Sequence, residues 1–319
     1  MLTVFARDTG HATRLTGPAD RDVLHRAIWI DLQEPTEAEA ASVAQATGSR
    51  LPTQAEVSEI ESSSRHAVRD GVLYLNMPMV TVTDVARIVP AGFVLSPERL
   101  VTVRFAPSKV FDAFSANCPT GGAAHILTGL LEAITDRQAD ALEKVQSDME
   151  AISHRIFRDG NNGGRKIEDR MLRATLREIG RIGDLMSHIR DSQLGAARLL
   201  PFIETHAMDW LPPELRPRLE TLRQDIASVS DFGTHLSDKL QFLLDATLGF
   251  ISTAQNDVMK VMTIASVVGI PPVMVVGLYG MNFKNIHEYD WAYGYQYAWV
   301  LIIATTIVPL LIFRWRKWI

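Results

Sequence analysis

Two apolar segments at the end of the chain are each long enough to cross a lipid bilayer. Val261–Tyr279 holds 19 residues without a charge, and Tyr295–Phe313 follows after a short polar connection. A helix needs about 20 apolar residues to span the hydrocarbon core of a membrane. The two segments therefore predict a membrane hairpin, and the tripeptide Gly280-Met281-Asn282 comes where its first span meets water.

The average composition conceals this hairpin, because the many polar residues before it dilute the two spans. Of the 319 residues 22% are charged, which is typical of a soluble globular protein. The net charge of −5 gives no indication of a nucleic-acid partner. Cys118 is the only cysteine, which excludes a disulfide framework and a cysteine-based metal cage. The first residues lack the apolar core of a signal peptide, so we expect the first 255 residues in the cytosol.

The charges that flank the hairpin predict its orientation. Lys260 precedes the first span, and three basic residues follow the second. The loop between the spans has no net positive charge, with Lys284 offset by Glu288 and Asp290. Basic residues favour the cytoplasmic side of a membrane. We therefore expect a multi-pass protein of the cell (inner) membrane with both termini in the cytoplasm. The three basic residues after the second span are Arg314, Arg316 and Lys317.

The part before the hairpin divides at a change of pattern. Residues 1–122 predict a cytosolic α/β domain, in which short apolar runs bounded by Pro or Gly indicate strands and two Thr-x-x-Glu motifs indicate capping boxes at helix starts. The predicted strands are Ala27–Leu32, Gly71–Val82 and Gly92–Phe105, and the capping pairs are Thr36 with Glu39 and Thr53 with Glu56.

Residues 123–255 predict helices that lead into the hairpin of residues 256–319. Apolar residues recur every three or four positions from Leu142 to Ile156, a turn is expected at Gly160–Gly164, and a second helix is expected over Lys166–Leu199. The third helix is expected to run unbroken from about Pro213 to Tyr279, roughly 100 Å at 1.5 Å per residue. A helix of that length needs partner helices, in its own chain or in further copies.

Two spans are too few to surround water, so a pore would require several copies around a symmetry axis. Polar, Met and small residues of the long helix share one helical face, and in an oligomer that face would present rings around the axis. Each has an ordinary alternative: interfacial polarity for Asn256, packing for Met259 and Met262, and a helix C-cap for Gly280. The residues of this face are Asp245, Ser252, Asn256, Met259, Met262 or Thr263, Ser266, Val273, Gly277 and Gly280.

Several motifs, spread over the whole chain, resemble the CorA family of divalent-cation channels. The resemblance is carried by Tyr279-Gly280-Met281-Asn282-Phe283 after the penultimate span and by the stretch from Asn256 to Ile264 that enters the membrane. The N-terminal Trp29-Ile30-Asp31-Leu32 and the basic, aromatic tail Lys317-Trp318-Ile319 are similar to the family as well. Glu59-Ile-Glu61-Ser-Ser-Ser-Arg65 adds a further N-terminal match.

The resemblance implies a funnel-shaped homopentamer with an α/β cytosolic domain, a long helical stalk and two C-terminal transmembrane helices. It implies that Gly280, Met281 and Asn282 form a selectivity filter for hydrated Mg²⁺, an ion that sheds its water reluctantly. Met259 and Met262 would form a hydrophobic gate beside a ring of Asn256, and Asp245 would face the cytosolic vestibule. Glu288 and Asp290 would concentrate cations at the outer mouth. Regulatory Mg²⁺ would bind stalk acids, for which Glu220, Asp225 and Asp238 are candidates.

Three features depart from the family pattern, and other functions remain open. Many magnesium members carry Met-Pro-Glu-Leu shortly after the tripeptide, whereas this chain has Ile286-His287-Glu288-Tyr289 and keeps only the Glu. Val273 stands where a polar pore residue is expected, and Lys284 where an acidic residue is frequent.

Within transport, the alternative functions are those of the zinc-transporting branch of the superfamily and passage of cobalt or nickel. The proposed pore face has no Cys or His, the ligands that suit zinc. A membrane-anchored coiled-coil structural protein is an alternative of another class. Enzyme function and an organic cofactor are not expected, since no nucleophile–base pair or phosphate loop is found. The expected partners are further copies of the chain, membrane lipids and divalent cations.

Overall fold

The structure is a computed structural model that describes residues 1–6, 12–15, 20–59, 65–82, 86–119, 121–157, 169–282, 286–316 and 318. The chain forms two compact units. The first comprises Met1–Arg155 with Leu176–Leu243, and the second Ile156–Thr175 with Leu244–Ile319. The predicted turn at Gly160–Gly164 lies outside the described residues, as do residues 60–64, Phe283, Lys284, Lys317 and Ile319.

The first unit is built on a seven-stranded sheet with the order β2-β1-β3-β7-β6-β5-β4. Strands β3 and β7 pair in parallel at its centre, with Asp31 opposite Thr102, and the other neighbouring strands are antiparallel. The strands are β1 (Leu2–Ala6), β2 (Ala12–Leu15), β3 (Ala27–Gln33), β4 (His66–Arg69), β5 (Val72–Val82), β6 (Ala86–Leu95) and β7 (Leu100–Arg104).

One predicted strand is wrong in extent. Gly92–Phe105 is not continuous, because it contains the end of β6 and the whole of β7, which pair with each other as a hairpin. The backbone N–H of Ser96 donates a hydrogen bond to the Arg99 carbonyl at 3.0 Å and closes the turn. Pro97 lies in this turn and has no N–H to offer a sheet. The predictions for β3 and β5 are confirmed to within one residue at either end.

Within the described residues, four short helices belong to the sheet domain, and both predicted capping boxes are present. The Thr36 hydroxyl accepts a hydrogen bond from the Glu39 N–H while the Glu39 carboxylate accepts one from the Thr36 N–H, and Thr53 and Glu56 repeat the arrangement. Each box pairs backbone N–H groups that the first turn of a helix leaves without partners. The helices are α1 (Arg21–Arg26), α2 (Glu37–Thr47), α3 (Gln54–Val57) and α4 (Lys109–Ala116).

The sheet has an apolar core on each face, because neighbouring residues of a strand point to opposite sides. Trp29 belongs to the core shared with the long helices, whereas Ile30 and Leu32 belong to the core shared with α2. This first core takes buried residues from three long helices, among them Leu130, Leu199 and Leu219. The sheet is therefore covered on both sides, as in an α/β sandwich.

Three long helices follow: α5 (Ala123–Phe157), α6 (Asp169–His206) and α7 (Leu215–Tyr279). The prediction that the second helix ends at Leu199 is wrong, since α6 continues through Pro201. Buried residues on both sides of the proline, Leu200 and Ile203, bind this part of the helix to the core and offset the hydrogen bond that proline removes. The predicted third helix is confirmed as a single 65-residue helix containing Pro271 and Pro272.

Two helices in the described part of the chain are long and apolar enough to cross a membrane. They are α7 and α8 (Gly294–Trp315), and they contain the two segments predicted as spans. A short 3-10 helix, His287–Asp290, lies between them in the sequence.

Candidate functional site

The tripeptide Gly280-Met281-Asn282 lies where α7 ends. The Gly280 N–H donates a hydrogen bond to the Val276 carbonyl at 2.9 Å, and the Met281 N–H donates one to the Leu278 carbonyl at 3.3 Å. Gly280 does not adopt the left-handed backbone that a capping glycine takes in the common helix stop. The side chains of Met281 and Asn282 are exposed, so both are available to a ligand or to another copy of the chain.

The predicted outer-mouth acids stand on the 3-10 helix, close to the start of α8. Two further backbone hydrogen bonds connect the 3-10 helix to the start of α8. The Trp291 N–H donates to the Glu288 carbonyl at 3.4 Å, and the Gly294 N–H donates to the Trp291 carbonyl at 3.1 Å. A side chain at Gly294 would collide with the Glu288 carbonyl, so glycine is required there. Asp290 is exposed. Gly294 could not be identified from the sequence alone, since its role depends on its contact with the backbone of Glu288.

One side of the membrane-entering half of α7 is partly covered. The half-buried residues Ile264, Val268, Pro271, Val275 and Tyr279 are spaced by three or four positions. With about 100° per residue they share one side of the helix. On α8 the half-buried residues have the same spacing, and both sets belong to the second unit, so we infer that these two sides face each other. The residues of α8 are Ala298, Leu301, Ile302, Thr305 and Pro309.

The predicted pore residues lie on the opposite side of α7. Met259 is 61% exposed, Met262 63% and Val273 70%, and Asn256 and Gly277 are exposed as well. At about 100° per residue, their mean direction is roughly 180° from the half-buried stripe. This side of α7 therefore stays uncovered when α8 lies against the other side.

The polar groups of this uncovered side differ in how they are used. The Thr263 hydroxyl donates to the Met259 carbonyl at 2.8 Å, within its own helix. Lys260 forms an ion pair with Asp257 at 3.4 Å, and this pair lies away from the centre of the uncovered side. Within the described residues the Asn256 side chain forms no hydrogen bond, so its amide is the group on this turn that remains available. Asp245, nearer the N-terminus of α7, is exposed and, unlike Asn256, its side chain is not free of interactions.

The three stalk acids proposed as a metal site are not brought together in one chain. The Glu220 carboxylate binds Arg223 at 2.7 Å and accepts a hydrogen bond from Gln224 at 3.1 Å, and these contacts lower its pKa. Asp225 and Asp238 are exposed. No group of three or more His, Cys, Asp or Glu side chains in the described part of the chain could hold a metal ion.

Asp225 nevertheless has an acidic neighbour that the sequence analysis missed. Burial raises the pKa of Asp136 on α5, and the charges of Asp140, Asp225 and Glu132 raise it further. Glu132 in turn forms an ion pair with Arg218 on α7. The spacing of Glu132, Asp136 and Asp140 by four residues is the signal in the sequence, since it places all three on one face of a helix.

Comparison with known proteins decides the family. The sequence pattern of the CorA-like Mg²⁺ transporter protein family matches residues 25–317. The chain belongs to this family. The prediction of the family is therefore confirmed, and the CorA-type arrangement explains why an α/β domain precedes a long helix and two apolar helices.

Individual CorA proteins match over the whole chain. The magnesium transport protein CorA of Escherichia coli (strain K12) is 29% identical over 326 residues, covering 100% of both chains. The protein of the same name from Salmonella typhimurium is 28% identical with the same coverage. The complete structure of the CorA magnesium transporter from Methanocaldococcus jannaschii has a TM-score of 0.73 at 15% identity and covers 100% of this chain and 99% of that chain. The predicted fold of one chain is thereby confirmed.

Proposed function

We propose that the protein carries Mg²⁺ across the cell's inner membrane as a homopentamer, with the uncovered side of α7 lining a central pathway. The observation that carries the proposal is the opposition of the two sides of α7, one half-buried and apolar, the other exposed and holding Asn256, Met259 and Met262. Family membership supports the same function, since the full-length relatives are named magnesium transport proteins. Residues 1–122, 123–255 and 256–319 are then the cytosolic α/β domain, the stalk region and the membrane hairpin.

In this arrangement the ion meets Asn282 first. A ring of side-chain amides hydrogen-bonds the water molecules of a hydrated Mg²⁺ without removing them, which suits an ion that loses its water slowly. Gly280 and Met281 hold these amides at the end of α7, and Glu288 and Asp290 raise the local concentration of cations. Further along the pathway, rings of Met259 and Met262 form a constriction that closes by excluding water. Asn256 and Asp245 are polar and acidic positions on the cytosolic side of that constriction.

The test is Mg²⁺ uptake into liposomes that contain the full-length protein and a Mg²⁺-sensitive dye. We expect Asn282→Ala to abolish uptake or to broaden it to other cations, with the oligomer intact by native mass spectrometry. Gln296→Ala is the matched control, since it removes an exposed amide from α8. Unchanged selective uptake by Asn282→Ala would remove Asn282 from the filter, and a monomeric protein in the bilayer would end the proposal.

A competition series identifies the ion. We expect Mg²⁺ uptake to exceed Zn²⁺ uptake, and Co²⁺ and Ni²⁺ to compete with Mg²⁺, because a filter that contacts bound water discriminates poorly among hydrated octahedral ions. Selective Zn²⁺ uptake would assign the chain to zinc transport instead. Labelling of single cysteines placed at either terminus tests the proposed topology, in which both termini are cytoplasmic.

Regulation by Mg²⁺ at the stalk is part of the proposal. Glu220, Asp225 and Asp238 would contribute to sites completed by a neighbouring copy, since one chain does not bring them together. Mg²⁺ bound there should slow cleavage of the full-length protein by trypsin. Identical digestion with and without Mg²⁺ would contradict this part.

A further inference from the structure

The first unit contains a cavity of about 420 Å³ that the transport proposal does not use. It lies between the end of β5, the start of α4 and the facing sides of α5 and α6. The Thr81 hydroxyl at the end of β5 donates to the Pro107 carbonyl at 3.5 Å, which joins the strand to the segment before α4. Pockets that bind small molecules measure about 300–1,000 Å³, so this cavity has room for a small ligand.

The floor of the cavity is apolar and well packed. Met79, Ile134, Val145 and Ile182 line it, and each is at most 4% exposed. Because the floor is fixed by the core of the unit, the cavity does not depend on mobile side chains for its shape. A ligand that fills it must present a hydrophobic body to these residues.

The rim of the cavity is charged, with more cations than anions. The rim carries four basic side chains and three carboxylates. The basic residues are Lys109, Arg137, Lys144 and Arg181, and the carboxylates are those of Asp140, Asp148 and Asp184. The Arg137 guanidinium lies 3.7 Å from the Asp140 carboxylate. Within the described residues, Lys109, Lys144 and Arg181 form no ion pair.

The start of α4 adds to the positive character of the rim. Ser108 precedes the helix and is 4% exposed, but its side chain does not cap the first turn. Ser108, Lys109 and Val110 all line the cavity. The N–H groups of an uncapped first turn and the helix dipole favour a negative group at this end.

A buried amide provides the independent sign of a ligand. Gln138 lines the cavity and is 5% exposed. Its Nε2 donates to the Ser192 hydroxyl at 2.8 Å, but its Oε1 has no hydrogen-bond partner in the described residues. A buried acceptor without a donor is unfavourable, so a ligand that carries a hydroxyl or N–H group beside its hydrophobic body would complete this site.

We propose that this cavity binds a small amphipathic anion, one whose aromatic or aliphatic body carries a hydroxyl or N–H group as well as a phosphate or carboxylate group. The body packs on the floor formed by Ile134, Val145 and Ile182. The anionic group lies at the rim, where Lys109, Lys144 and the first turn of α4 meet it. The proposal rests on residues of the first unit alone and is independent of the ion pathway.

The test measures binding of 4-aminophenyl phosphate, which has an aromatic body, an N–H donor and a phosphate, to the full-length protein by isothermal titration calorimetry. We expect saturable binding of one molecule per chain, with 4-aminophenol and inorganic phosphate binding more weakly because the first lacks the anion and the second lacks the aromatic amine. The double variant Lys109→Ala/Lys144→Ala should weaken binding by roughly tenfold or more. Lys239→Ala is the matched control: it removes a lysine outside the cavity, paired with Glu150 at 3.9 Å, and should leave the affinity within about twofold.

Two further measurements locate the site and guard against misfolding. Ala141→Trp places a large side chain in the cavity and should remove binding, with circular dichroism and native mass spectrometry confirming an unchanged fold. Hydrogen exchange should slow on ligand addition over residues 137–148 and 181–189. Absence of saturable binding, equal affinity in the double variant and the Lys239 control, or protection elsewhere in the chain would each overturn the proposal. If Ala141→Trp does not fold, the lysine variants decide.

Discussion

Gly195 on α6 lies against Pro78 on β5 so closely that no side chain fits between them. A Cβ added at Gly195 would lie 2.8 Å from the Pro78 Cδ and 3.2 Å from the Met77 Cβ. Both neighbours are held by the sheet, because Pro78 is opposite Pro90 and Met77 is opposite Ala91 in the β5–β6 pair. The contact fixes how near this helix approaches the sheet.

Replacing this glycine should therefore destabilise the first unit. We expect Gly195→Ala to lower the free energy of unfolding by about 1–3 kcal/mol, the usual effect of overpacking. Gly180→Ala is the matched control on the same helix, since nothing lies within 4 Å of its added Cβ. It should raise the stability by roughly 0.5–1 kcal/mol, because alanine favours a helix over glycine. Denaturant unfolding of both variants checks the prediction, and a similar response from the two would contradict it.

A second prediction concerns the buried pair of Asp31 and Arg104 at the parallel centre of the sheet. The Arg104 guanidinium is 2% exposed and lies 2.9 Å from the Asp31 carboxylate, which also accepts a hydrogen bond from the Thr102 hydroxyl at 2.7 Å. Asp31→Asn should cost about 3–5 kcal/mol of stability, because it removes the buried carboxylate that faces this buried cation.

The control for this pair is the second carboxylate that Arg104 contacts. Asp112 lies 3.3 Å from the same guanidinium, but its side chain is 47% exposed. Asp112→Asn should cost less than about 1 kcal/mol, as for other solvent-exposed pairs. Thermal unfolding distinguishes the two variants, and equal losses would mean that burial does not set the strength of this network.

The capping box of α2 should make stability depend on pH. The hydrogen bond from the Thr36 N–H lowers the pKa of Glu39 below its ordinary value of 4.5, although burial opposes the effect. A carboxyl whose pKa is lower in the folded state stabilises the fold above its unfolded pKa and loses that contribution as the pH falls through the folded pKa. The stability difference between wild type and Glu39→Gln should thus be constant near neutrality and shrink below about pH 4.5.

Urea unfolding between pH 7 and pH 3 measures this difference. Glu37→Gln changes an exposed carboxyl in the same first turn and is the matched control. A difference for Glu39→Gln that grows as the pH falls would contradict the assignment of a lowered pKa.

The proposed gate predicts a leak when its side chains are removed. Met259 is 61% exposed on the uncovered side of α7, so Met259→Gly should widen the constriction and raise the current that remains at high Mg²⁺ concentration. Val258→Gly introduces the same glycine beside it, away from the centre of that side, and should not leak. Planar-bilayer recordings at several Mg²⁺ concentrations compare the two variants, and equal leaks would indicate a general loosening of the helix.

Replacing Val273 by a polar residue should speed Mg²⁺ uptake. Val273 is 70% exposed on the proposed pathway, where an apolar ring raises the barrier for a hydrated ion. Val273→Thr keeps the shape and adds a hydroxyl, and we expect faster Mg²⁺ uptake with unchanged exclusion of Na⁺. Val276→Thr makes the same exchange at a 56% exposed position outside the proposed pore face. A rate increase in both variants, or in neither, would count against Val273 as a pore residue.

Features that depend on neighbouring residues could be predicted from the sequence. The capping boxes at Thr36 and Thr53 and the two spans were predicted correctly, because hydrogen bonds over three residues and runs of apolar side chains are local properties. The pore face stays a prediction that rests on helical spacing, and α7 continues as a helix through Pro271 and Pro272.

Features that depend on distant parts of the chain could not be predicted. Pro201 would end an isolated helix, and only the packing of Leu200 and Ile203 on the sheet keeps α6 continuous. Arg104 and its partner Asp31 are 73 residues apart, so no local pattern indicates their pairing. The cavity around Gln138 joins four separate elements, and no single stretch of sequence indicates it.

The core beneath the sheet has a consequence for synthesis. Phe5 and Trp29, made first, share one apolar cluster with Leu219 and Ile226 on the first turns of α7. Chains emerge from the ribosome N-terminus first and domains fold as their parts appear. The N-terminal sheet therefore stays without its full cover until shortly before Val261 leaves the exit tunnel. If the proposed topology holds, completion of the first unit and delivery of the first predicted span to a membrane must overlap in time.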